Sequence, residues 1–169
     1  LLNELELEDL ATIFYRFGEE KRSRHMARIV GEMRERRRFA ISDDLVETVD
    51  RAIPRATAQD RARIFQALRI AVNGEVEQIE AALPRLRDAL APGGVIVVLS
   101  YHSLEDRIVK EAFREWSRDC VCPPGLPICY CRGKALGTTL TRKPVMATPE
   151  EVQSNPRARS ARLRAWRKE

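Results

Sequence analysis

The run Leu90-Ala91-Pro92-Gly93-Gly94-Val95-Ile96-Val97-Val98-Leu99-Ser100-Tyr101-His102-Ser103-Leu104-Glu105-Asp106-Arg107 decides how this chain is read. A Pro-Gly-Gly turn leads into five consecutive apolar residues, 95–99, apolar on both faces as a strand buried in a parallel sheet must be. A polar turn then opens a helix, with Ser103 as the expected N-cap, Asp106 three residues on, and Ile108, Val109, Ala112, Phe113 and Trp116 as its apolar positions. Helix, turn, buried strand, polar turn, helix is the rhythm of a doubly wound α/β sheet.

Upstream, the pattern is helical. Leu7, Leu10, Phe14 and Phe17 recur three or four apart and Gly18 closes the run; Met26, Ile29, Val30 and Met33 repeat the spacing in a basic segment. Ser42 is the expected cap of a third helix, with Asp43 and Asp44 near its positive end and Pro54 as its stop. Residues 1–57 therefore read as an all-helical unit. From Ala58 a helical pattern resumes through Ile64, Leu68, Val72, Val76, Ile79, Leu83 and Leu90, with Asn73-Gly74 and Pro84 as expected breaks or bends.

Downstream, residues 118–137 form a loop rich in Cys, Pro and Gly. Residues 138–146 suit a strand. Thr148-Pro149-Glu150-Glu151 is a good helix start, and Asn155-Pro156 ends that turn. Residues 160–168 alternate weakly, which fits either a terminal strand or an arm.

Composition narrows the class. With 169 residues, 44% apolar and 33% charged, the chain is long enough for a core and is neither disordered nor membrane-spanning. The N-terminus carries no basic region or cleavage signal, and four Cys without a secretory signal point to a reducing, cytoplasmic setting. The start without Met reads as a piece cut from a longer chain. Net charge is +5, yet Arg outnumbers Lys 25 to 5. Arg suits phosphate because its planar fork donates two bonds at once. One cluster runs from Arg16 to Arg38. The other is the tail Arg157, Arg159, Arg162, Arg164, Arg167 and Lys168, which has no acid until Glu169 and is the better candidate for a phosphate-facing patch.

Chemistry concentrates at residues 100–107, where open α/β sheets place their ligand sites. Ser103 and Asp106 also suit plain helix caps, and a Ser–His hydrolase is disfavoured by the lack of a Gly-x-Ser-x-Gly elbow. Cys120-x-Cys122 and Cys129-x-Cys131 are symmetric about the intervening loop. Four thiolates suit tetrahedral zinc, but the one-residue spacing is tighter than zinc sites usually use, so unligated thiols are expected and no metal is assigned.

Several segments in order resemble the bacterial RsmH (MraW) family. They are Gly18-Glu19-Glu20, Phe65-Gln66-Ala67-Leu68-Arg69-Ile70-Ala71-Val72-Asn73, Leu90-Ala91-Pro92-Gly93-Gly94, the residues 100–110, Cys122-Pro123-Pro124-Gly125-Leu126-Pro127, Thr141-Arg142-Lys143-Pro144 and Asn155-Pro156-Arg157-Ala158-Arg159-Ser160. The resemblance implies methylation of N4 of a cytidine in 16S ribosomal RNA with S-adenosylmethionine. It implies part of a class I methyltransferase, a Rossmann-like doubly wound sheet with an inserted all-helical domain. Residues 1–57 would be that insert and residues 58–169 the carboxyl-terminal half of the core, with the 95–99 strand in its middle.

On this reading His102, Ser103, Glu105 and Asp106 are the catalytic candidates. Gln66, Arg69, Asn73 and Ser100 would line the pocket for the base, with Arg162 and Arg164 on RNA and Arg157 structural. The partner would be small-subunit ribosomal RNA or the small ribosomal subunit, with no membrane role. Two features depart from the family. Gln59-Asp60-Arg61-Ala62-Arg63 keeps only the Arg of the usual His-Pro-Ala-Thr-Arg, and the Gly-rich cofactor loop with its acidic partners is missing from this chain. No residue is therefore assigned to the cofactor. The rival reading is a non-catalytic RNA-binding helical module, with or without a zinc staple.

Overall fold

The computed structural model describes the chain except residues 124–127, 129 and 132, so Cys129 lies outside the described residues. Two compact units result, Leu1–Glu75 and Val76–Glu169.

The first unit is four helices, α1 (Leu7–Arg16), α2 (Ser23–Arg36), α3 (Ser42–Ala52) and α4 (Ala58–Asn73). Their apolar stripes meet in one core, where Leu10, Phe14, Met26, Val30, Val49 and Ile64 are fully buried. α4 packs on α1 and α3, so the helical unit runs past residue 57. The start of α3 differs from the sequence expectation: Ser42 is its first residue rather than its cap. Asp44 reaches back instead, accepting from the amides of Ala40 (2.8 Å) and Ile41 (3.1 Å) and pairing with Arg37. α4 is capped reciprocally, Thr57 Oγ1 accepting from Asp60 N at 3.2 Å and Asp60 Oδ2 from Thr57 N at 2.9 Å. Arg63 donates to Glu20 Oε2 at 2.9 Å, tying α4 to the Gly18-Glu19-Glu20 turn.

The second unit holds α5 (Glu75–Ala89, from its second residue), β1 (Val95–Ser100), α6 (Ser103–Trp116), β2 (Gly137–Thr139), β3 (Val145–Met146), α7 (Pro149–Ser154), a 3₁₀ turn (Pro156–Ser160) and β4 (Arg162–Lys168). Asn73-Gly74 does break the helical run, Gly74 taking φ +62°. Pro84 does not. It costs one backbone bond, and α5 continues to Ala89 with Val76 and Leu83 buried.

The sheet corrects the expectation of a central parallel strand. Its order is β1-β4-β2, with β3 also on β4. β4 is the centre, and the ambiguous 160–168 segment proves to be a strand. β1 is an edge strand paired antiparallel to it, Ile96 opposite Trp166 and Ser100 opposite Arg162. The 138–146 segment is two short strands rather than one. One sheet face is closed by α6 around Phe113, Trp116 and Trp166, whose ring centroids lie 5.1–6.4 Å apart. β2 reaches this cluster only because residue 137 is Gly: a Cβ there would sit 2.3 Å from the Trp166 ring. On the other face Val95, Val97 and Leu99 stay 42%, 58% and 50% exposed. Apolar residues on both sides of β1 thus mean one covered face and one open face within this chain.

Candidate active site

The polar turn after β1 is built by a cap one residue earlier than expected. His102, not Ser103, is the N-cap of α6. His102 Nδ1 accepts from Glu105 N at 3.4 Å, and Glu105 Oε2 accepts from Tyr101 N at 2.9 Å and His102 N at 3.4 Å. The His102 imidazole beside it does most to hold the Glu105 carboxyl below the usual glutamate range, with the Tyr101 amide adding to this and burial opposing it.

Moving the cap to Glu105 releases Asp106, which sits at a buried position of α6 beside Val109 and Phe113. There it accepts two bonds from Arg164, Nε at 2.6 Å and Nη2 at 3.1 Å, and Arg162 approaches at 3.5 Å. The Arg164 hydrogen bond holds the Asp106 carboxyl below the usual aspartate range against the opposing effect of burial. Arg164 is only 6% exposed, so the expectation that it contacts RNA is corrected. Lys168 is also engaged, donating to the carbonyls of Asp88 (3.2 Å) and Leu90 (2.6 Å) at the end of α5. Of the tail, Arg157, Arg159 and Arg167 are exposed, and Arg157 lines the open groove described below.

Two polar atoms at the carboxyl end of β1 are buried without a hydrogen-bond partner among the described residues, Ser100 Oγ and His102 Nε2. His102 Nε2 lies 3.1 Å from Glu105 Oε1 but is not aligned for a hydrogen bond. An open groove of about 490 Å³ in the same unit is lined by Leu99, Tyr101, Met146, Asn155, Arg157 and Leu163. The structure thus gathers Ser100, His102, Glu105, Asp106, Arg162 and Arg164 in one unit, with the exposed Ser103 at the first turn of α6. Gln66, Arg69 and Asn73 share one face of α4 in the other unit. There Arg69 donates two hydrogen bonds to the Glu75 carboxylate (2.9 and 3.0 Å), and Asn73 donates to the same carboxylate at 3.0 Å. Tyr101 and Asn155 were not among the expected site residues; their one sequence signal is polar or aromatic character beside a strand end and a Pro.

The model of the MraW methylase family matches residues 1–169. The chain belongs to this family. It is 56% identical over 168 residues to the ribosomal RNA small subunit methyltransferase H of Gemmatimonas aurantiaca, covering 99% of this chain and 53% of that protein. Proteins of the same name from Heliobacterium mobile and Desulforapulum autotrophicum are 44% and 46% identical, each with 99% of this chain and 55% of the relative covered. The chain spans about half the length of the curated relatives it matches, 53–55% in these three. The family is named for methyl transfer, and methylases of this kind draw on S-adenosylmethionine.

The residues present do not fit that cofactor. Gly93, at φ +80°, belongs to a turn closed by its own N–H on the Lys168 carbonyl at 2.9 Å. Gly94 is packed against Ala91 and Leu90. Neither forms a Gly-rich loop following a strand. Among the described residues no helix is long and apolar enough to cross a membrane.

Proposed function

We propose that this chain supplies the target-base side of an enzyme that methylates N4 of a cytidine in 16S ribosomal RNA, with S-adenosylmethionine as donor. The observation that carries this reading is the pair of buried atoms at the end of β1 that lack an aligned hydrogen bond, Ser100 Oγ and, against the Glu105 carboxylate, His102 Nε2. Buried polar atoms are rarely left unpaired, and such a pair at a strand's carboxyl end marks a place for a ligand's polar groups.

The chemistry sets what these residues must do. The lone pair of an exocyclic amine is delocalised into its ring, so the amine must be oriented and must shed a proton. With Nδ1 accepting the Glu105 amide, a neutral His102 carries its proton on Nε2 and donates to the base. Ser100 Oγ gives a second fixed contact. Glu105, held ionised, is the nearest acceptor for the amine's proton, with Ser103 at the same helix start. Asp106 is a positioning residue: through Arg164 it locks α6 onto β4. The methyl donor is held by sequence beyond this chain, and none of the present residues is given a role toward it.

Phosphate contacts fall to the first unit. An open groove of about 1050 Å³ there is floored by Leu7 and Ala11 and rimmed by Arg16, Lys21, Arg24 and Arg28. The base must be unstacked before a pocket can hold it, and a basic groove can grip the flanking backbone while that happens.

The test is a chimera in which this chain replaces the matching segment of the Gemmatimonas aurantiaca relative. After incubation with S-adenosylmethionine and small-subunit ribosomal RNA, the RNA is digested and its nucleosides weighed by mass spectrometry. N4-methylcytidine is the expected product. RNA binding without any methylated nucleoside would favour the non-catalytic RNA-binding module.

A further inference from the structure

We infer that Cys120, Cys122 and Cys131 form a binding site for a zinc-class divalent cation, at the neck of the loop between α6 and β2. Their three sulfurs all lie within 4.8 Å of one another. Cys120 Sγ and Cys131 Sγ are 3.8 Å apart. A tetrahedral zinc with Zn–S bonds of about 2.3 Å has sulfur–sulfur edges of about 3.8 Å, so this pair already spans one edge of the polyhedron.

The spacing that argued against zinc is resolved by the backbone. Residues two apart share a face of an extended segment, roughly 6.6 Å apart. The chain bends at Cys122, which draws the Cys120 and Cys122 sulfurs together, and Cys131 arrives from the returning limb. The Val121 N–H points at Cys131 Sγ at 3.4 Å. An amide donor on sulfur favours the thiolate, as outer contacts of metal ligands do.

The loop's ends are pinned by Leu136 N on the Trp116 carbonyl (2.8 Å) and Ala135 N on Asp119 Oδ1 (3.3 Å). Between these ends Ile128 and Tyr130 are 59% and 77% exposed. A metal held by the three thiolates would tie the two limbs together without any apolar burial. Three thiols each release a proton to solvent as they ligate, leaving a tris-thiolate with one corner for a further ligand. Soft thiolate donors select zinc over magnesium or calcium. This site is independent of the methyl-transfer reading.

The experiment uses the full chain, reduced, stripped with chelator and handled without oxygen, then titrated with Co²⁺ and afterwards Zn²⁺. The expected result is one cobalt per chain, with the visible absorption of tetrahedral thiolate coordination, bleached by one equivalent of zinc. The absorption is lost in Cys122→Ser and Cys131→Ser, while the near-ultraviolet signal of the Trp116–Trp166 cluster shows that the variants still fold. If a variant fails to fold, the parent chain still decides: zinc should slow reaction of its thiols with a thiol reagent at least tenfold. Absence of thiolate–cobalt absorption in the reduced parent overturns the proposal. So does a Cys120–Cys131 disulfide whose reduction yields thiols indifferent to metal.

Discussion

Arg164 closes on Asp106 with two hydrogen bonds, Nε at 2.6 Å and Nη2 at 3.1 Å, joining residues 58 positions apart in sequence. The pair fastens the helix that carries the polar turn to the central strand of the sheet. Both side chains are nearly inaccessible, so each is the other's means of tolerating burial. Asp106→Asn leaves a buried guanidinium without its counter-charge and should cost about 3–5 kcal/mol. Urea unfolding of the chain should show a lower midpoint with an unchanged slope. A change below about 1 kcal/mol would mean that the pair is solvated and dispensable.

The same pair sets an acid limit. Because Arg164 lowers the folded-state pKa of Asp106, its stabilisation is fully present above the unfolded value, about 3.9. It is lost as pH falls below that value toward the folded one. Stability measured between neutral pH and about pH 3 should therefore fall for the parent, and fall less steeply for Asp106→Asn. Parallel curves would remove Asp106 from the acid response.

This pair shows what local pattern reveals and what it does not. Asp106, Val109 and Phe113 fall on one helical stripe, yet as the third residue after Ser103, Asp106 reads as a cap rather than as a buried acid that demands a cation. Which cation was not visible, because a pairing across 58 residues leaves no periodic trace. The cap was misplaced for a related reason: Ser103-x-x-Asp106 and His102-x-x-Glu105 are overlapping candidates one residue apart. Glu105 took the backbone amides because Asp106 was needed elsewhere. The helices of the first unit were legible because their stripes are long and regular. β4 was not, since Arg162, Arg164 and Lys168 on one face disguise a strand whose charges are spent on Asp106 and on the end of α5.

The open face of β1 yields a third expectation. Val97 is 58% exposed in this chain, yet its strand is apolar on both sides. In the chimera the remaining length of the relative should cover this face. Val97→Glu should then leave the isolated chain's unfolding midpoint within about 0.5 kcal/mol of the parent but destabilise the chimera by 2 kcal/mol or more, roughly the value of burying a valine plus the cost of a buried charge. Equal effects in both would mean that nothing covers β1.

RNA affinity should trace to the first unit rather than the tail. In the chimera, Lys21, Arg24 and Arg28 changed together to Gln should lower the slope of log affinity against log salt by up to about 2–3, near one unit per lost phosphate contact. Arg164→Gln should act through stability instead. A slope unchanged by the triple substitution would take the basic groove off the RNA.

The most direct test of the central claim compares methyl transfer with stability in the chimera carrying Ser100→Ala or His102→Ala. Ser100 Oγ has no hydrogen-bond partner among the described residues, so removing it costs the fold little, whereas His102→Ala also removes the α6 cap and should cost about 0.5–2 kcal/mol of stability. Each is proposed to hold the target base, so its removal should cost the reaction at least about tenfold in kcat/KM, or about 1.4 kcal/mol of transition-state binding. The account predicts that loss for Ser100→Ala at a melting temperature within a degree or two of the parent, and for His102→Ala in excess of what the lost cap costs in stability. Full activity in both variants, or activity that falls only in step with melting temperature, would contradict it.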